Sequence, residues 1–365
     1  MKKAINRRQF VAAGAATVAA AAAAGLAGCS SSSSSNNTAA NNTAEEEITD
    51  EKVVFVWEPN ESTATYDGMR EAVQKCIETG GGVPCEMMTT TDYNITIESL
   101  VSAKAAFASL GASEYVEAHA KNPSVTVAFV QSDAKGELNP VSYYSQICVR
   151  TEDADSYKDA NGEYSLEGLK GKKFSFVNLN STSGFVLPAT VMSNQFGLNG
   201  TDDLAEGGKD KFFSEVLFPG SHPGSLYNLV SGDADGAVFA NYLVAPFVEV
   251  VSGAEGEVGS VFTVKEGVDT PLDKSAGASY TIIGSLAVPA VPICVNEEAL
   301  SDALREKIID YMCSDEVAAN EDIFPSPDSE TVSNWKKQNE DDKYRFVKAE
   351  DSYYDDFRTL IGFDK

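Results

Sequence analysis

The sequence predicts an α/β protein folded into two lobes. Apolar runs typical of buried strands alternate with segments of helical spacing along most of the chain, and this pattern favours sheets flanked by helices. Residues 51–365 exceed what one compact core usually holds, so two lobes are expected. A complete strand, helix and strand unit lies within residues 214–244, which indicates sheets that are mostly parallel.

The first half of the chain supplies four strands. The run "KVVFVWEP" opens as a buried strand that Pro59 closes. Residues 66–78 carry apolar side chains at helical spacing, and Gly80 to Gly82 end that helix. The same reading predicts a strand in "VPCEMMT", a cap, a helix and a short strand in "TTDYNITIESLVSAKAAFASLG", and a strand in "SVTVAFVQS".

The second half repeats this alternation. A strand is predicted in "YYSQICVRTED", followed by a short helix and a strand in "SLEGLKGKKFSFVNL". The segment "SGFVLPATVMSNQFG" predicts a helix that Pro188 kinks near its start. After the unit at 214–244, "YTIIGSLAVPAVPICVNEEALSDALREKIIDYM" supplies a strand and a long amphipathic helix. A closing helix is predicted from the spacing of Tyr353, Phe357, Leu360 and Ile361.

The amino terminus predicts an export signal over residues 1–28. Four Lys and Arg side chains precede an apolar run of small residues, which has too little bulk for a stable membrane span and ends in "LAGC". This ending resembles a bacterial lipoprotein cleavage box, with Cys29 as the lipidated first residue of the mature chain. The "RRQF" at residues 7–10 resembles a twin-arginine signal, and the Sec route is the alternative.

Residues 29–50 are predicted to be a disordered tether. They are rich in Ser, Asn and Thr and have almost no apolar content, so they cannot bury enough surface to offset chain entropy. No other stretch is long and apolar enough to span a bilayer. The sequence therefore predicts an exported domain that is anchored by a lipid to the outer face of the cell membrane, in an extracellular or periplasmic space.

Composition excludes some classes of function. The formal net charge is −27, and removal of a signal that carries only basic charges makes the mature chain more acidic still. Nucleic acid is therefore not expected as a partner. Any anion site must rely on local hydrogen bonds, because the overall field repels anions. With His119 and His222 as the two histidines, and no zinc spacing among the cysteines, neither a metal site nor a cofactor is predicted.

Five cysteines remain after Cys29. Their odd number in an oxidising or exposed compartment leaves three arrangements open. Cys76 and Cys85 flank a glycine-rich turn and could bridge it. Cys148 and Cys294 could pair if their strands are neighbours. The third arrangement has free buried thiols.

The stretch "NLNSTSGFVLPA" places three hydroxyl side chains, Ser181, Thr182 and Ser183, between a strand and a helix. The strand is expected to end near Leu179, so these residues lie at a helix start, where backbone N–H groups are unpaired and hydroxyls add further donors. A tetrahedral oxyanion fits this arrangement. The alternative is that Ser181 or Thr182 is an N-cap without a ligand.

A nucleophilic serine is disfavoured by the context. A hydrolase elbow needs glycine two positions before the serine, whereas Leu179, Asn180 and Ser181 hold those positions here. His222 would be the base, and Asp233 or Asp235 would orient it.

Three further residues are candidates for an anion site. His222 lies just before a helix start, where its imidazole can donate to an anion held by the same helix, although a loop histidine is often only solvated. Asp235 begins the following strand and could line the same cleft, or serve as a turn residue in "GDADG". Tyr93 lies in the first turn of another helix, where its hydroxyl could reach an oxyanion or pack in the core.

These segments occur together and in a defined order. "DYNITIESL", "SYYSQICVRTED", "NSTSGFVLPA", "SHPGSLYNLVSGDADGA" and "GSLAVPAVPICV" resemble successive blocks of the phosphonate-binding lipoproteins of ABC importers, a group that covers phosphate, phosphite and phosphonate uptake. The resemblance spans residues 52–320. Each block is weakly specific alone, and their combination is much more specific.

The resemblance implies a periplasmic-binding-protein-like fold of type II, with two α/β lobes and a double-crossover hinge. Lobe one would be residues 51–146 plus 291–365, and lobe two residues 147–290. "ICVR" and "ICVN" would be the hinge strands, which would make Cys148 and Cys294 neighbours.

The resemblance also implies a function without catalysis. The three hydroxyl residues 181–183 would bind the phosphonate oxygens, and Tyr93, His222 and Asp235 would complete the ligand site. The chain would act as a monomer that captures a small phosphorus oxyanion and delivers it to a membrane permease and its ATPase.

Some positions depart from the family pattern. Val238 and Phe239 are apolar where polar ligand contacts are common in the family, and Leu110 replaces a frequent aromatic residue. Phosphite, phosphate or methylphosphonate is therefore at least as plausible a ligand as 2-aminoethylphosphonate. The alternatives are the same fold with another small anion or a sensory role, a secreted serine hydrolase using Ser183 and His222, and an adhesion or structural lipoprotein.

Overall fold

The structure of the protein is a computed structural model, which describes residues 50–60 and 63–363. The predicted signal segment 1–28, the lipidation site Cys29 and the tether, apart from its last residue, lie outside the described residues.

Two sheets organise the described chain, and their strands are numbered here in chain order. They are β1 (Val53–Trp57), β2 (Cys85–Thr89), β3 (Phe107–Ser109), β4 (Val125–Gln131), β5 (Tyr143–Arg150), β6 (Lys173–Ser175), β7 (Glu215–Leu217), β8 (Gly236–Ala240), β9 (Val248–Ser252), β10 (Val261–Val264), β11 (Ser279–Val288), β12 (Ile293–Asn296) and β13 (Phe346–Val347).

The helices lie between and after these strands. They are α1 (Asp67–Gly81), α2 (Tyr93–Val101), α3 (Ala112–Lys121), α4 (Leu187–Phe196), α5 (Asp202–Ala205), α6 (His222–Val230), α7 (Asn241–Val244), α8 (Asp302–Met312), α9 (Asp315–Ala318) and α10 (Asp355–Leu360). Short 3₁₀ segments cover Thr63–Tyr66, Thr151–Tyr157, Leu166–Leu169, Ala245–Phe247 and Asp351–Tyr354, and a π-helical turn covers Thr182–Val186.

The first sheet has six strands in the order β13-β4-β12-β3-β1-β2. It combines strands from both ends of the chain, because β12 inserts between β3 and β4. Helices α1 and α8 pack with the aromatic and aliphatic core on one face, around Phe55, Phe107 and Phe129. Helices α2, α3 and α10 contribute to the core on the other face, around Tyr115, Tyr354 and Phe357.

The second sheet has seven strands in the order β7-β6-β8-β5-β11-β10-β9. Six phenylalanines of this half form a connected cluster of ring contacts: Phe174, Phe176, Phe185, Phe212, Phe213 and Phe218. The chain passes between the sheets twice, from β4 to β5 and from β11 to β12. Residues 143–146, which the sequence placed in lobe one, belong to β5 and therefore to the second sheet.

The expectation of mostly parallel sheets is wrong. In each sheet two strand pairs are parallel, β1 with β2 and β3, and β6 with β7 and β8. The other pairs are antiparallel, because β12 and β5 each run against the parallel strands that they join. The two crossovers supply these strands: β5 is the first strand of the second sheet, and β12 returns to a sheet that β1 to β4 have formed.

Pro188 distorts the helix start as predicted, and the form of the distortion is a π-helical turn. Leu187 N–H bonds the carbonyl of Thr182, five residues back, before the regular helix α4 continues. Pro188 has no N–H with which to bond the carbonyl of Gly184, four residues back. That carbonyl instead accepts a hydrogen bond from Val177 N–H at 3.1 Å.

The five described cysteines are free thiols. Cys148 lies in β5, where its ladder partners are Ala237 and Ile282. Cys294 lies in β12 of the other sheet. The expectation that these two cysteines are neighbours is therefore wrong, because "ICVR" and "ICVN" belong to different sheets.

Within residues 50–60 and 63–363, no helix combines the length and the apolar character needed to cross a membrane.

Candidate functional site

Four helical segments begin at the edges where parallel strands end. In the first sheet, α2 follows β2 and α3 follows β3. In the second sheet, the π-helical turn that leads into α4 follows β6, and α6 follows β7. The first N–H groups of a helix lack intrahelical partners and carry partial positive charge, so such edges favour anions.

Side-chain contacts bring the first of these helix starts together. Asn180 Nδ2, just before the π-helical turn, donates to Asn94 Oδ1 in the first turn of α2 at 2.8 Å. Ser113 N–H, in the first turn of α3, donates to Thr182 Oγ1 at 2.8 Å. The 180–183 segment of the second sheet therefore contacts two helix starts of the first sheet.

The three hydroxyl residues of this segment are buried, with 2 to 3 % of their surface exposed. Ser181 has the geometry of an N-cap, because its Oγ accepts from Gly184 N–H at 3.2 Å. Ser183 is held by its carbonyl, which accepts from Ser145 Oγ at 2.6 Å. Its hydroxyl also interacts with Tyr143, whose pKa is raised above its ordinary value mainly by burial. The capping alternative thus describes Ser181 and leaves Thr182 and Ser183 for other contacts.

Thr182 meets a carboxylate that the sequence did not single out. Its Oγ1 donates to Glu114 Oε2 at 2.6 Å, and Ser113 Oγ donates to the same oxygen at 2.8 Å. Glu114 is 1 % exposed. Burial raises its pKa to about 7, against the opposing effect of the hydroxyls and of the backbone N–H groups of Glu114 and Thr182.

A glycine permits this close approach. A Cβ at Gly111 would lie 2.4 Å from Glu114 Oε2 and 2.5 Å from Thr182 Oγ1, closer than any real contact. The three residues therefore pack as one unit across the two lobes.

His222 is the first residue of α6, and 2 % of its surface is exposed. Its Nδ1 accepts from Ala240 N–H at 2.9 Å, so the proton of the neutral ring is on Nε2. Burial lowers the pKa of His222 to about 3, which keeps the imidazole neutral at ordinary pH. The backbone N–H of His222 donates to the carbonyl of Asn60 in the other lobe at 3.1 Å. His222 therefore offers a neutral N–H donor.

Ser183 and His222 are anchored to paired positions of neighbouring strands. Ser145, which bonds Ser183, pairs with Ala240, which bonds His222, in the ladder between β5 and β8. Paired residues of antiparallel strands are roughly 5 Å apart, so the two helix starts lie side by side.

Tyr93 is buried at the first position of α2. The preceding residue, Asp92, caps this helix by accepting from Asn94 N–H at 2.8 Å. Asn94 contacts Asn180, and Tyr93 therefore belongs to the helix start that faces the hydroxyl segment.

The structure separates Asp235 from the other five predicted site residues. Its Oδ2 accepts from Lys173 N–H at 2.9 Å, and Arg150 lies 3.8 Å from Oδ1. These contacts are at the amino end of β8, whereas His222 bonds Ala240 at the carboxyl end. A strand of this length spans roughly 16 Å, so the prediction for Asp235 is wrong. The turn alternative describes it correctly.

A cavity of about 890 Å³ lies between the lobes beside these buried residues. Tyr143, which interacts with Ser183, lines it. Its wall contains aromatic, amide and charged side chains, including Trp57, Asn241, Lys265, Thr331 and Trp335.

Among the described residues, no group of three or more His, Cys, Asp or Glu side chains is arranged to hold a metal ion. The hydrolase alternative also lacks support in the geometry. The Nδ1 atom that a carboxylate would orient accepts a backbone N–H instead, and Asp233 and Asp235 lie near the opposite end of β8.

The sequence did contain a weak signal for Glu114. It lies in the first turn of α3, five residues after β3 ends, and Glu58 directly follows the parallel strand β1. Carboxyl ends of parallel strands meet at one edge, so both buried glutamates could have been placed near the cleft. An acidic residue in a first helical turn is, however, common for reasons of helix stability alone.

A profile of the family described as "ABC transporter, phosphonate, periplasmic substrate-binding protein" matches residues 55–354. The match covers most of the chain, and the protein belongs to this family. The members are substrate-binding components of transporters and not enzymes.

The chain is similar to the phosphate-import protein PhnD of Mycolicibacterium smegmatis, with 26% identity over 188 residues. That match covers 51% of this chain and 54% of the relative, so the chain spans about half the length of the relative that it matches.

Two solved structures have a similar fold. PhnD1 from Prochlorococcus marinus, solved in complex with methylphosphonate, has a TM-score of 0.59 at 16% identity and covers 86% of this chain and 97% of its own. A binding protein component of an ABC phosphonate transporter from Pseudomonas aeruginosa has a TM-score of 0.59 at 18% identity, covering 85% of each chain. The predicted type II fold with two α/β lobes is confirmed.

Proposed function

We propose that this protein captures a small phosphorus oxyanion between its lobes and delivers it to an ABC permease and its ATPase. The ligand class is phosphonate, phosphite or phosphate. The protein acts as an exported monomer, and a lipid on Cys29 holds it on the outer face of the cell membrane. The family supports the transport role, and the site supports the ligand class.

The convergence of helix starts carries this proposal. The starts of α2 and α3 contact the 180–183 segment, and this segment lies beside His222 at the start of α6. Partial positive charge from several helix starts attracts an anion without any Lys or Arg. This local attraction is what an acidic protein with a net charge of −27 needs.

Five of the six predicted ligand residues, all except Asp235, have a role in this proposal. Ser181, Thr182 and Ser183 border the oxyanion, with Tyr93 donating from the other lobe. The Ser181 N–H already bonds the Asn178 carbonyl, and the hydroxyl and N–H of Thr182 contact Glu114. His222 donates from Nε2 without adding a charge, so the ligand is bound through hydrogen bonds. The neighbouring cavity of about 890 Å³ accommodates the organic substituent of a phosphonate.

Thermal unfolding of the exported protein in the presence of methylphosphonate, phosphite, phosphate, sulfate and glutamate tests the ligand class. A ligand that binds the folded state raises the melting temperature by mass action. We expect increases with the phosphorus compounds and none with glutamate. A melting temperature that none of the phosphorus compounds raises would contradict the proposal.

Metabolic labelling with a radioactive fatty acid tests the anchor. The wild-type chain, expressed in a bacterial host, is expected to incorporate label and to sediment with membranes. The Cys29→Ala variant is expected to remain unlabelled. Equal labelling of both chains would exclude Cys29 as the anchor.

A further inference from the structure

The Glu114 carboxylate occupies the donors of the proposed anion site. Its Oε2 accepts from the hydroxyls of Thr182 and Ser113, at 2.6 and 2.8 Å. Backbone N–H groups of Glu114 and Thr182 also stabilise its charged form. Thr182 is one of the residues that the proposed function assigns to the ligand, so a ligand bound at Thr182 would have the Glu114 carboxyl group as a neighbour.

No cation offsets this negative charge. Within the described residues, Glu114 makes no ion pair, and its hydrogen-bond partners are hydroxyl and amide groups. A fully deprotonated ligand oxygen beside it would place two negative charges together in a buried site. Such a contact is repulsive, whereas a ligand oxygen that carries a hydrogen can donate to the carboxylate.

Three titratable groups of other elements surround the same space. Tyr143 on β5 and Cys294 on β12 both feel the charges of Glu114 and Glu58, and burial raises the pKa of each well above its ordinary value. Tyr143 and Cys294 are therefore neutral near pH 7. Glu58, which follows β1, is a second buried carboxyl group, and its charge acts on Tyr143 and Cys294.

We propose that Glu114 is a specificity-determining residue of this site, and that it selects phosphorus oxyanions that carry a P–OH group over sulfate and sulfonates. The inference rests on the proposed function. In the complex, one hydrogen lies between a Glu114 carboxylate oxygen and a ligand oxygen, and no covalent bond to phosphorus is made or broken. Sulfate carries no such hydrogen near neutral pH and is a much weaker base, so it holds a hydrogen supplied by protonated Glu114 only weakly.

The shared hydrogen makes binding depend on pH in both directions. At low pH both the Glu114 carboxyl group and the ligand oxygen are protonated. One proton must therefore leave when the ligand binds, and the affinity for the ligand rises with pH. At high pH both are ionised, so one proton must be taken up and affinity falls about tenfold per pH unit. The pKa of Glu114, raised to about 7 by burial, places the change between these regimes near neutral pH.

Calorimetry on the full wild-type protein tests the inference. Methylphosphonate and sulfate are titrated between pH 6 and 9, in buffers with different ionisation enthalpies, so that the protons exchanged are counted. We expect uptake of about one proton with methylphosphonate above pH 8, and sulfate binding at least about 100-fold weaker at pH 7.

The Glu114→Gln variant removes the charge while keeping the shape. We expect proton uptake to disappear and the preference over sulfate to shrink below about tenfold, since the amide does not titrate and its hydrogen is not shared with a basic ligand oxygen. Glu117→Gln, one turn along the same helix on the partly exposed side, is the matched control and should behave as wild type.

The outcomes separate the inference from the proposed function. Wild-type protein that binds methylphosphonate and sulfate equally, or takes up no proton above pH 8, overturns the role of Glu114 and leaves the transport role intact. Wild-type protein that binds no oxyanion overturns both. The wild-type proton count decides the question even if Glu114→Gln does not fold.

Discussion

The proposed oxyanion site and the large cavity beside it differ in how they are built. The oxyanion site consists of helix starts and hydroxyl side chains, and its residues are 3 % exposed or less. The cavity has a volume of about 890 Å³ and is lined in part by connecting segments around Lys265 and Thr331. In the proposed function, the first region supplies the donors for the oxyanion, and the second accommodates its substituent.

The difference has a structural cause. Donors at helix starts are positioned by the backbone and by the sheets that carry the helices, so they tolerate little variation in geometry. Cavity-lining side chains on connections can change without affecting either sheet. We therefore expect substitutions in the oxyanion site to affect every ligand and substitutions in the cavity to affect only larger ligands.

The largest effect is expected from His222→Ala. This change removes the neutral donor and also leaves the buried Ala240 N–H without its acceptor. A hydrogen bond to a charged group contributes about 1.5–3 kcal/mol, so methylphosphonate affinity should fall about 100-fold by calorimetry. His119→Ala is the control, because His119 bonds the Val125 carbonyl away from this site. Loss below threefold for His222→Ala would exclude His222 as a ligand contact.

The second prediction concerns stability and pH. The folded-state pKa of Glu114, about 7, lies above its ordinary value of 4.5, so the folded state binds more protons between these values. The contribution of Glu114 to the free energy of unfolding is therefore fully present below about pH 4.5. It falls by about 3 kcal/mol as pH rises through 7. His222 acts oppositely, because its pKa is lowered to about 3 and its contribution is lost as pH falls from 6.5.

Comparison with Glu114→Gln separates the two groups, since both proteins retain His222. In urea unfolding, the free energy of unfolding of Glu114→Gln minus that of wild type should increase by about 3 kcal/mol between pH 4.5 and 7.5. Glu117→Gln should follow wild type. A difference that stays constant over this range would mean that Glu114 does not titrate there.

The third prediction concerns the cavity alone. Thr331→Trp adds bulk to its wall, and steric overlap of this kind costs about 1–3 kcal/mol. We expect benzylphosphonate affinity to fall about tenfold while methylphosphonate affinity stays within twofold. Glu340→Trp, at an exposed position, is the control. An equal loss for both ligands would show that the two regions are not independent.

The smallest effect is expected from Asp235→Asn. Asp235 lies at the far end of β8, its side chain is 36% exposed, and asparagine can still accept from Lys173 N–H. Methylphosphonate affinity should stay within twofold of wild type in calorimetry. A larger loss would contradict the placement of Asp235 outside the site.

The order of elements could be predicted well from local patterns. The apolar run at β1, the glycines that end α1 and the unit from β7 to β8 were assigned correctly, because each depends on residues close in sequence. The strand pairing could not be predicted from those patterns. Insertion of β12 between β3 and β4 depends on chain segments about 170 residues apart, so the sheets are more antiparallel than expected.

The same distinction applies to the site. The sequence predicted the hydroxyl residues Ser181, Thr182 and Ser183, because a helix start next to hydroxyl residues is a local feature. Asp235 was misassigned because its place in a turn does not reveal which end of the strand faces the cleft. Glu114 was missed because its partner Thr182 is 68 residues away in the sequence.

The sequence by itself determined the α/β class, the family, the acidic net charge and the hydroxyl segment at a helix start, since all of these depend on composition, spacing and local propensity. Only the tertiary structure decided that Glu114 lies among the donors of that segment, that His222 is a neutral donor beside it, and that Cys148 and Cys294 lie in separate sheets. The physical reason is that burial and pairing between distant segments set the charge of each group, and local patterns carry no information about either.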